Sequence, residues 1–174
     1  TVSNLSSTRA LRDVTNKYQR DYHASAVGEV NVVEKMKETN AVIGGEGNGG
    51  IIYPELHYGR DALVGVALFL TQLAERRISV RALRDSYPEY FISKNKIALT
   101  SEINIETVLA DLEQKYHDQR ITTIDGLKID FEDGWVHLRK SNTEPIIRIY
   151  AESYKEEKAN EFANNIISDI KELI

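Results

Sequence analysis

One stretch in the second half of the chain decides its fold: residues 121–139 read ITTIDGLKIDFEDGWVHLR. Two Asp-Gly pairs, Asp125-Gly126 and Asp133-Gly134, separate short segments rich in apolar residues. Asp-Gly between such segments favours the tight turns of β-hairpins, because glycine readily adopts the positive φ angle that these turns need. The stretch therefore predicts three antiparallel strands, and a fourth is expected at residues 146–151.

Helical patterns lie on both sides of these strands. Asn104 is a candidate N-cap for a helix through about His117, whose apolar residues are three and four positions apart. A terminal helix is expected from about Lys155, with Phe162 and Ile166 at the same spacing. These segments predict a small α+β domain, an antiparallel sheet with helices on one face.

Strands and helices alternate in the first half of the chain, which predicts an α/β domain. Asn31 and Asp61 are candidate N-caps, and Asp61 precedes the helix with the clearest apolar spacing. We predict strands at 2–6, 23–27 and 41–43 and helices at 7–19, 31–40 and 62–76.

A boundary between the two halves is expected near Pro88. Proline disfavours helix continuation before it, and a polar run follows at residues 93–96. Through Lys96 the chain has 13 basic and 11 acidic residues, and after it 9 and 16, so the net charges are +2 and −7. We predict a first domain at 1–90, a linker at about 88–96 and a second domain at 97–174.

The composition of the 174 residues excludes several classes of protein. With 41% hydrophobic and 28% charged residues, the chain is expected to form packed cores, and its net charge of −5 disfavours nucleic acid as a partner. The absence of cysteine excludes disulfides, thiolate zinc sites and a cysteine nucleophile. Long apolar runs and a signal-peptide pattern are also lacking, so we expect a cytoplasmic protein without membrane contact. The four histidines show no paired metal-ligand spacing, and no metal site is predicted.

Five of the ten glycines lie in the segment GGEGNGG, residues 44–50. Gly45, Gly47 and Gly50 fit the pattern G-x-G-x-x-G, but extended chain follows where a dinucleotide site needs a helix. Glu46 can accept two hydrogen bonds from vicinal hydroxyls, and Asn48 can both donate and accept, which suits a sugar. A tight hairpin with a merely solvated glutamate explains the same residues equally well.

A second polar loop, RKSNTEP, occupies residues 139–145. The planar fork of Arg139 matches phosphate oxygens, and Arg148 returns on the next predicted strand. Hydroxyls at Ser141 and Thr143, with the backbone N–H groups from Ser141 through Asn142 to Thr143, can surround an anion. Composition alone favours the alternative of a polar turn with surface charges.

Taken in this order and about 95 residues apart, the two loops resemble those of the α-D-phosphohexomutases. The segment 44–50 resembles the family's sugar-specificity loop, and 139–145 resembles its C-terminal phosphate-binding loop. The resemblance implies a four-domain enzyme of which this chain is most of the third domain and the fourth. It also implies interconversion of hexose 6-phosphate and hexose 1-phosphate through a hexose 1,6-bisphosphate. The phosphoserine and the Mg²⁺ site belong to the first two domains, so we expect this chain to hold no catalytic residue and to be inactive alone.

The resemblance also assigns roles to individual positions. Glu46 and Asn48 match residues that bind sugar hydroxyls, and the residues matching those that hold the non-reacting phosphate are Arg139, Ser141, Asn142 and Thr143. Three positions depart from the usual pattern: Asn48 replaces Ser, Gly50 replaces His, and Glu29 stands where some members have His. Residues 6–9 stand where some members place a Lys near the substrate. The loop is most similar to those of members acting on glucosamine phosphate, with mannose and glucose phosphates as the alternative.

Three hypotheses remain open from the sequence. The first is a mutase portion whose partners are a hexose phosphate and the missing N-terminal domains. The second is a stand-alone module that binds sugar phosphates, and the third is a structural or interaction domain whose loops only resemble a site.

Overall fold

The computed structural model describes residues 1–99, 104–141 and 144–173. The chain divides into two compact units, Thr1–Glu89 and Tyr90–Ile174. Each unit has its own five-stranded sheet and its own cluster of buried apolar residues. An α/β unit followed by a small α+β unit is the arrangement that the sequence predicts, and the fold class is confirmed.

The first unit is built around a mixed sheet in the order β2-β1-β3-β4-β5. Strand β1 runs parallel to β2 and β3, whereas β3, β4 and β5 are joined as antiparallel neighbours. The elements of this unit are β1 Val2–Asn4, α1 Ala10–Lys17, β2 His23–Ser25, α2 Glu29–Thr39, β3 Gly44–Gly45, β4 Ile51–Tyr53, β5 His57–Arg60, α3 Ala62–Arg76 and α4 Val80–Asp85. Because β1 and β3 are parallel, their carboxyl ends lie at the same edge of the sheet.

Helix α2 covers the sheet of the first unit with Val32 and Met36, both fully buried. A Cβ atom on Gly44 would lie 2.3 Å from the Met36 sulfur, so glycine allows this close packing. The helix begins at Glu29 with Gly28 as its N-cap, earlier than predicted. Asn31 is not the cap, because its side-chain amide donates to the Val27 carbonyl.

Helix α3 has the predicted bounds, and the Asp61 carboxylate accepts a hydrogen bond from the Val64 backbone N–H at 2.9 Å. No residue of this helix is buried, and Leu63 is 82% exposed. Its apolar positions Val66 and Leu70 are also exposed. Apolar periodicity thus predicted the helix correctly, but in this chain it marks a surface and not a core.

The second unit is an antiparallel sheet in the order β6-β10-β9-β8-β7. Its elements are β6 Phe91–Ala98, α5 Ile105–Lys115, β7 Arg120–Thr122, β8 Leu127–Phe131, β9 Gly134–Lys140, β10 Ile146–Ser153 and α6 Glu156–Leu173. Both Asp-Gly pairs connect hairpins, as predicted. The side chain of Asn104 accepts from the Thr107 backbone N–H and caps α5.

The predicted linker is wrong over most of its length. Residues 91–98 form strand β6, which pairs with β10 from Phe91 opposite Ser153 to Ala98 opposite Ile146. The polar run at 93–96 suits an edge strand, because alternate side chains of such a strand can remain in water.

The two faces of the second sheet differ in chemistry. One face carries Val136, Leu138 and Ile149, which pack with α5 and α6 in a single apolar cluster. Because side chains alternate along a strand, Trp135, His137 and Arg139 lie on the opposite face. The sheet therefore separates its helix-covered core from the face that carries the candidate phosphate-binding arginine.

Candidate functional site

Glu46 follows β3 at the carboxyl edge of the first sheet. Its Oε1 accepts hydrogen bonds from the Asn4 side-chain amide at 2.9 Å and from the Gly28 backbone N–H at 3.2 Å. Asn4 ends β1 and is itself oriented by the Ser7 hydroxyl, which donates to its Oδ1 at 3.0 Å. Two donors from different elements thus fix one carboxylate oxygen in a half-buried position, which does not fit a merely solvated glutamate.

The backbone of the glycine loop forms a tight turn between β3 and β4. Glu46 N–H donates to the Gly50 carbonyl, and Gly49 N–H donates to the Glu46 carbonyl, both at 3.0 Å. A Cβ atom on Gly45 would lie 2.2 Å from the Gly50 carbonyl oxygen, so this closure requires glycine. Asn48 is exposed at the turn, and its Oδ1 accepts from the Gly50 N–H at 3.0 Å. The loop is therefore a hairpin turn that also presents a fixed carboxylate and an amide.

A cleft of about 200 Å³ lies beside this loop. Ser7, Thr8 and Leu11 line one side, and the glycine loop lines the other. Residues 7 and 8 belong to the segment that, by the resemblance, stands where some family members place a Lys near the substrate. The structure brings that segment next to Glu46 through the parallel pairing of β1 and β3.

Arg60 lies against Glu29 and Gly50, two of the three positions at which the chain departs from the pattern of the family that it resembles. Its Nε donates to Glu29 Oε2 at 2.7 Å, and its backbone N–H donates to Glu29 Oε1 at 3.1 Å. The bonds from the backbone and side chain of Arg60 hold the pKa of Glu29 below its ordinary value. A Cβ atom on Gly50 would lie 2.6 Å from Arg60 Cδ. Glycine at position 50 therefore leaves the space in which Arg60 lies against the loop.

This packing predicts a coupling between Gly50 and Arg60. Gly50→Ala must displace the Arg60 side chain and weaken its bond to Glu29, whereas in Arg60→Ala the nearest atom to the same methyl group is Asn48 Oδ1, at 3.2 Å. We expect the two changes to be non-additive by about 1 kcal/mol in the free energy of unfolding. Urea unfolding of both single variants and of the double variant measures this coupling, and simple additivity would contradict it.

The candidate phosphate loop of the second unit lies between β9 and β10. Arg139 on β9 pairs directly with Arg148 on β10. Arg148 forms an ion pair with Glu144 at 3.1 Å, and Arg139 Nε lies 3.9 Å from Asp125 Oδ2. Ser141 is buried, and its backbone N–H donates to the Ile146 carbonyl at 3.0 Å. The predicted contributions of Asn142 and Thr143 lie outside the described residues.

The turn Asp125-Gly126 packs directly against the strand that carries Arg139. The His137 ring donates from Nε2 to the Asp125 carbonyl at 2.7 Å. Gly126 has φ +71°, and a Cβ atom there would lie 2.1 Å from the Leu138 carbonyl oxygen. The turn, which the Asp-Gly pair predicts as a hairpin, therefore also supports the candidate phosphate loop.

Sequence reasoning missed Asn4 and Arg60 as candidate site residues. The available signal for Asn4 was its position at the carboxyl end of a predicted strand, where ligands of α/β sheets commonly bind. For Arg60 the only local signal was its place just before a helix cap.

Within residues 1–99, 104–141 and 144–173, no group of three or more His, Asp or Glu side chains is arranged to hold a metal ion. None of the helices in this part of the chain has the length and apolar character needed to span a bilayer. The first unit therefore offers hydrogen-bonding groups suited to hydroxyls, and the second offers cationic groups suited to an anion.

Two family models match the chain. Residues 1–90 match "Phosphoglucomutase/phosphomannomutase, alpha/beta/alpha domain III", and residues 96–168 match the C-terminal domain of the same family.

Curated relatives are similar over nearly the whole chain. A phosphoglucosamine/phosphogalactosamine mutase of Sulfurisphaera tokodaii is 35% identical over 99% of this chain and 38% of its own length. A phosphoglucomutase/phosphomannomutase of Thermococcus kodakarensis is 36% identical over 92% of this chain and 35% of its own. The chain thus spans little more than a third of the length of these relatives.

Solved structures share the fold at lower sequence identity. A phosphoglucomutase/phosphomannomutase family protein of Burkholderia thailandensis superposes with a TM-score of 0.79 at 23% identity, over 98% of this chain and 36% of that one. An N-acetylphosphoglucosamine mutase of Aspergillus fumigatus, in complex with GlcNAc-6P and magnesium, has a TM-score of 0.67 at 13% identity, over 98% of this chain and 38% of that one.

Proposed function

Because the chain belongs to the phosphoglucomutase/phosphomannomutase family, we propose that it is the substrate-recognition part of a phosphohexomutase. Such an enzyme is an isomerase that interconverts hexose 6-phosphate and hexose 1-phosphate through a bisphosphate intermediate. The observation that carries the proposal is the direct pairing of Arg139 with Arg148 beside the Ser141 loop. Two guanidinium groups at neighbouring positions suit a phosphate dianion, which can accept several charge-assisted hydrogen bonds.

Each unit has a separate role in this proposal. Glu46 and Asn48 bind hydroxyl groups of the sugar. Oε1 of Glu46 is fixed by Asn4 and Gly28, and Oε2, which among the described residues accepts only a long bond of 3.5 Å from the Asn48 amide, can accept from the ligand. The non-reacting phosphate is bound by Arg139, Ser141, Asn142, Thr143 and Arg148. Fixed donors and charges of this kind orient a substrate without reorganising during the reaction.

Glucosamine phosphate is the proposed substrate, with mannose or glucose phosphate as the alternative. The name of the Sulfurisphaera relative supports the first, and that of the Thermococcus relative supports the second. Glu46 suits all of them, because vicinal hydroxyls are common to these sugars.

The chemical step is assigned to the part of the relatives that lies outside the matched region. By its resemblance to the family, that part would supply the phosphoserine and the Mg²⁺ site. The proposed partners are accordingly a hexose phosphate and the remainder of the enzyme, in the cytoplasm. Turnover by residues 1–174 alone would contradict this division of labour.

Titration with glucosamine 6-phosphate tests the proposal. We expect Arg139→Ala to weaken binding by about 1.5 to 3 kcal/mol, the range for a lost charge-assisted hydrogen bond. Glu46→Ala is also expected to weaken binding, because it removes the carboxylate that accepts hydrogen bonds from the sugar hydroxyls. Arg120→Ala is the matched control, because Arg120 is an exposed arginine on β7 of the same sheet.

The outcome also separates the alternatives. Binding that responds to both changes is expected of a mutase portion and of a stand-alone sugar-phosphate module alike; coding sequence upstream for the phosphoserine and Mg²⁺ loops would decide against the module. If the chain does not bind, or if neither change weakens binding, the loops are structural and the proposal fails.

A further inference from the structure

The register of the second sheet places three basic residues at one level. Lys96 on β6 pairs with Arg148 on β10, and Arg148 pairs with Arg139 on β9. Directly paired residues of neighbouring strands have their side chains on the same face of a sheet. The three side chains therefore form a basic row, defined here as Lys96, Arg148 and Arg139, on the face opposite α5 and α6.

Such a row is unfavourable for the sheet by itself. Like charges directly opposite each other on neighbouring strands are destabilising, because their Cβ atoms are only about 5 Å apart. Two carboxylates offset part of the charge, Glu144 beside Arg148 and Asp125 beside Arg139. Among the residues that the structure describes, three cations against these two carboxylates give the row a net positive charge, although its domain is acidic overall.

Lys96 differs from the other two members of the row in its surroundings. Within the described part of the chain, no carboxylate forms an ion pair with its ammonium group, which is exposed on the edge strand. Lys94 lies two residues earlier on the same face and differs, because its ammonium lies over the Tyr150 ring at 5.4 Å. The two lysines therefore share strand, face and exposure but differ in their neighbours.

We propose that Lys96 is a third phosphate-binding residue of the site, acting with Arg139 and Arg148 on a phosphate monoester. This inference rests on the proposed function and extends it to a residue outside the loop motif. The arginines offer planar forks with fixed hydrogen-bond directions, whereas lysine brings a compact charge on a flexible stem. Lys96 can therefore follow the phosphate oxygens that the two forks leave unbound.

A binding role for Lys96 has a signature that a structural role lacks. Removing its charge relieves the repulsion from Arg148, so Lys96→Ala should melt at or above the temperature of the parent chain. The same change should weaken phosphate binding. If Lys96→Ala binds phosphate more weakly but unfolds at no lower temperature, Lys96 contacts the ligand and does not merely support the sheet.

The experiment titrates the ¹⁵N-labelled chain with glucosamine 6-phosphate and, separately, with inorganic phosphate, following amide shifts. We expect Lys96→Ala to raise Kd for both ligands roughly threefold to tenfold and to reduce the salt dependence of binding. Lys94→Ala, the matched control, should change Kd less than twofold. Lys96→Arg should retain most of the affinity.

Arg139→Ala in the same series distinguishes failure of this inference from failure of the proposed function. If Arg139→Ala loses binding and Lys96→Ala does not, the role of Lys96 is wrong and the phosphate loop stands. Equal losses in Lys96→Ala and Lys94→Ala would indicate a general effect of charge and would also overturn the inference. A clear drop in melting temperature of Lys96→Ala would do the same. Absence of binding by the parent chain would overturn both proposals.

Discussion

Gly126→Ala is expected to lower the free energy of unfolding of the second unit by about 3 kcal/mol or more. Gly126 has φ +71°, where an alanine is strained by about 1 to 2 kcal/mol. The added Cβ would also lie 2.1 Å from the Leu138 carbonyl oxygen and 3.1 Å from Arg139 Cα. These are backbone atoms of the central strand β9, so the clash is relieved only by moving the strand that carries the candidate phosphate loop.

Gly49→Ala is the matched control for this change. Gly49 also has a positive φ, +92°, but no atom lies within 4 Å of the position of its Cβ. The free energy of unfolding of Gly49→Ala should fall only by the strain of an alanine at positive φ, about 1 to 2 kcal/mol. Native-state amide exchange follows each unit separately and measures both losses. Equal losses in the two variants would show that the predicted clash at Gly126 is absent.

The titration of His137 alone is expected to lower the free energy of unfolding of the second unit by about 3 kcal/mol as the pH falls from 7 to below 4. Burial lowers the pKa of His137 from 6.5 to about 4, although its hydrogen bond to the Asp125 carbonyl acts in the opposite direction. Between these pH values the unfolded chain binds a proton that the folded chain does not. Stability is therefore complete above pH 6.5 and is lost as the pH falls toward 4, at about 1.4 kcal/mol per unit of pKa difference.

His137→Gln isolates this effect from the titration of carboxylates. Glutamine keeps an N–H donor for the Asp125 carbonyl but does not titrate. Trp135 is the single tryptophan of the chain and lies in the second unit, so its fluorescence reports unfolding of that unit. We expect the parent to lose stability faster than the variant between pH 6.5 and 4. Parallel pH profiles would contradict the assignment.

Local chemistry accounts for the parts of the fold that the sequence predicted. Asp61 and Asn104 cap helices where expected, and both Asp-Gly pairs form hairpins, because each of these signals acts within a few residues. Strand β6 was misread as a linker because its pairing partner lies about 50 residues away and its exposed side is polar. Helix α3 was recognised by its apolar spacing, but spacing does not tell whether another element covers that side.

The same limit applies to the candidate site. Glu46, Arg139 and the loops around them were recognisable because their residues are contiguous. Asn4 contacts Glu46 across 42 positions of sequence, and Arg60 reaches Glu29 across 31. These contacts follow from strand register and from the absence of a side chain at position 50, which only the folded chain reveals.

Strand β6 also determines when the second unit can finish folding during synthesis. The hairpins of β7, β8 and β9 close locally, but β6 must wait for β10, whose last residue is made 55 positions after Ala98. At a synthesis rate of about 5 to 20 residues per second, the delay is roughly 3 to 11 seconds. Throughout that time the edge containing Phe91 and Ile92 has no partner strand. A ribosome that pauses within this interval lengthens the time in which this unpaired edge can pair with another nascent chain.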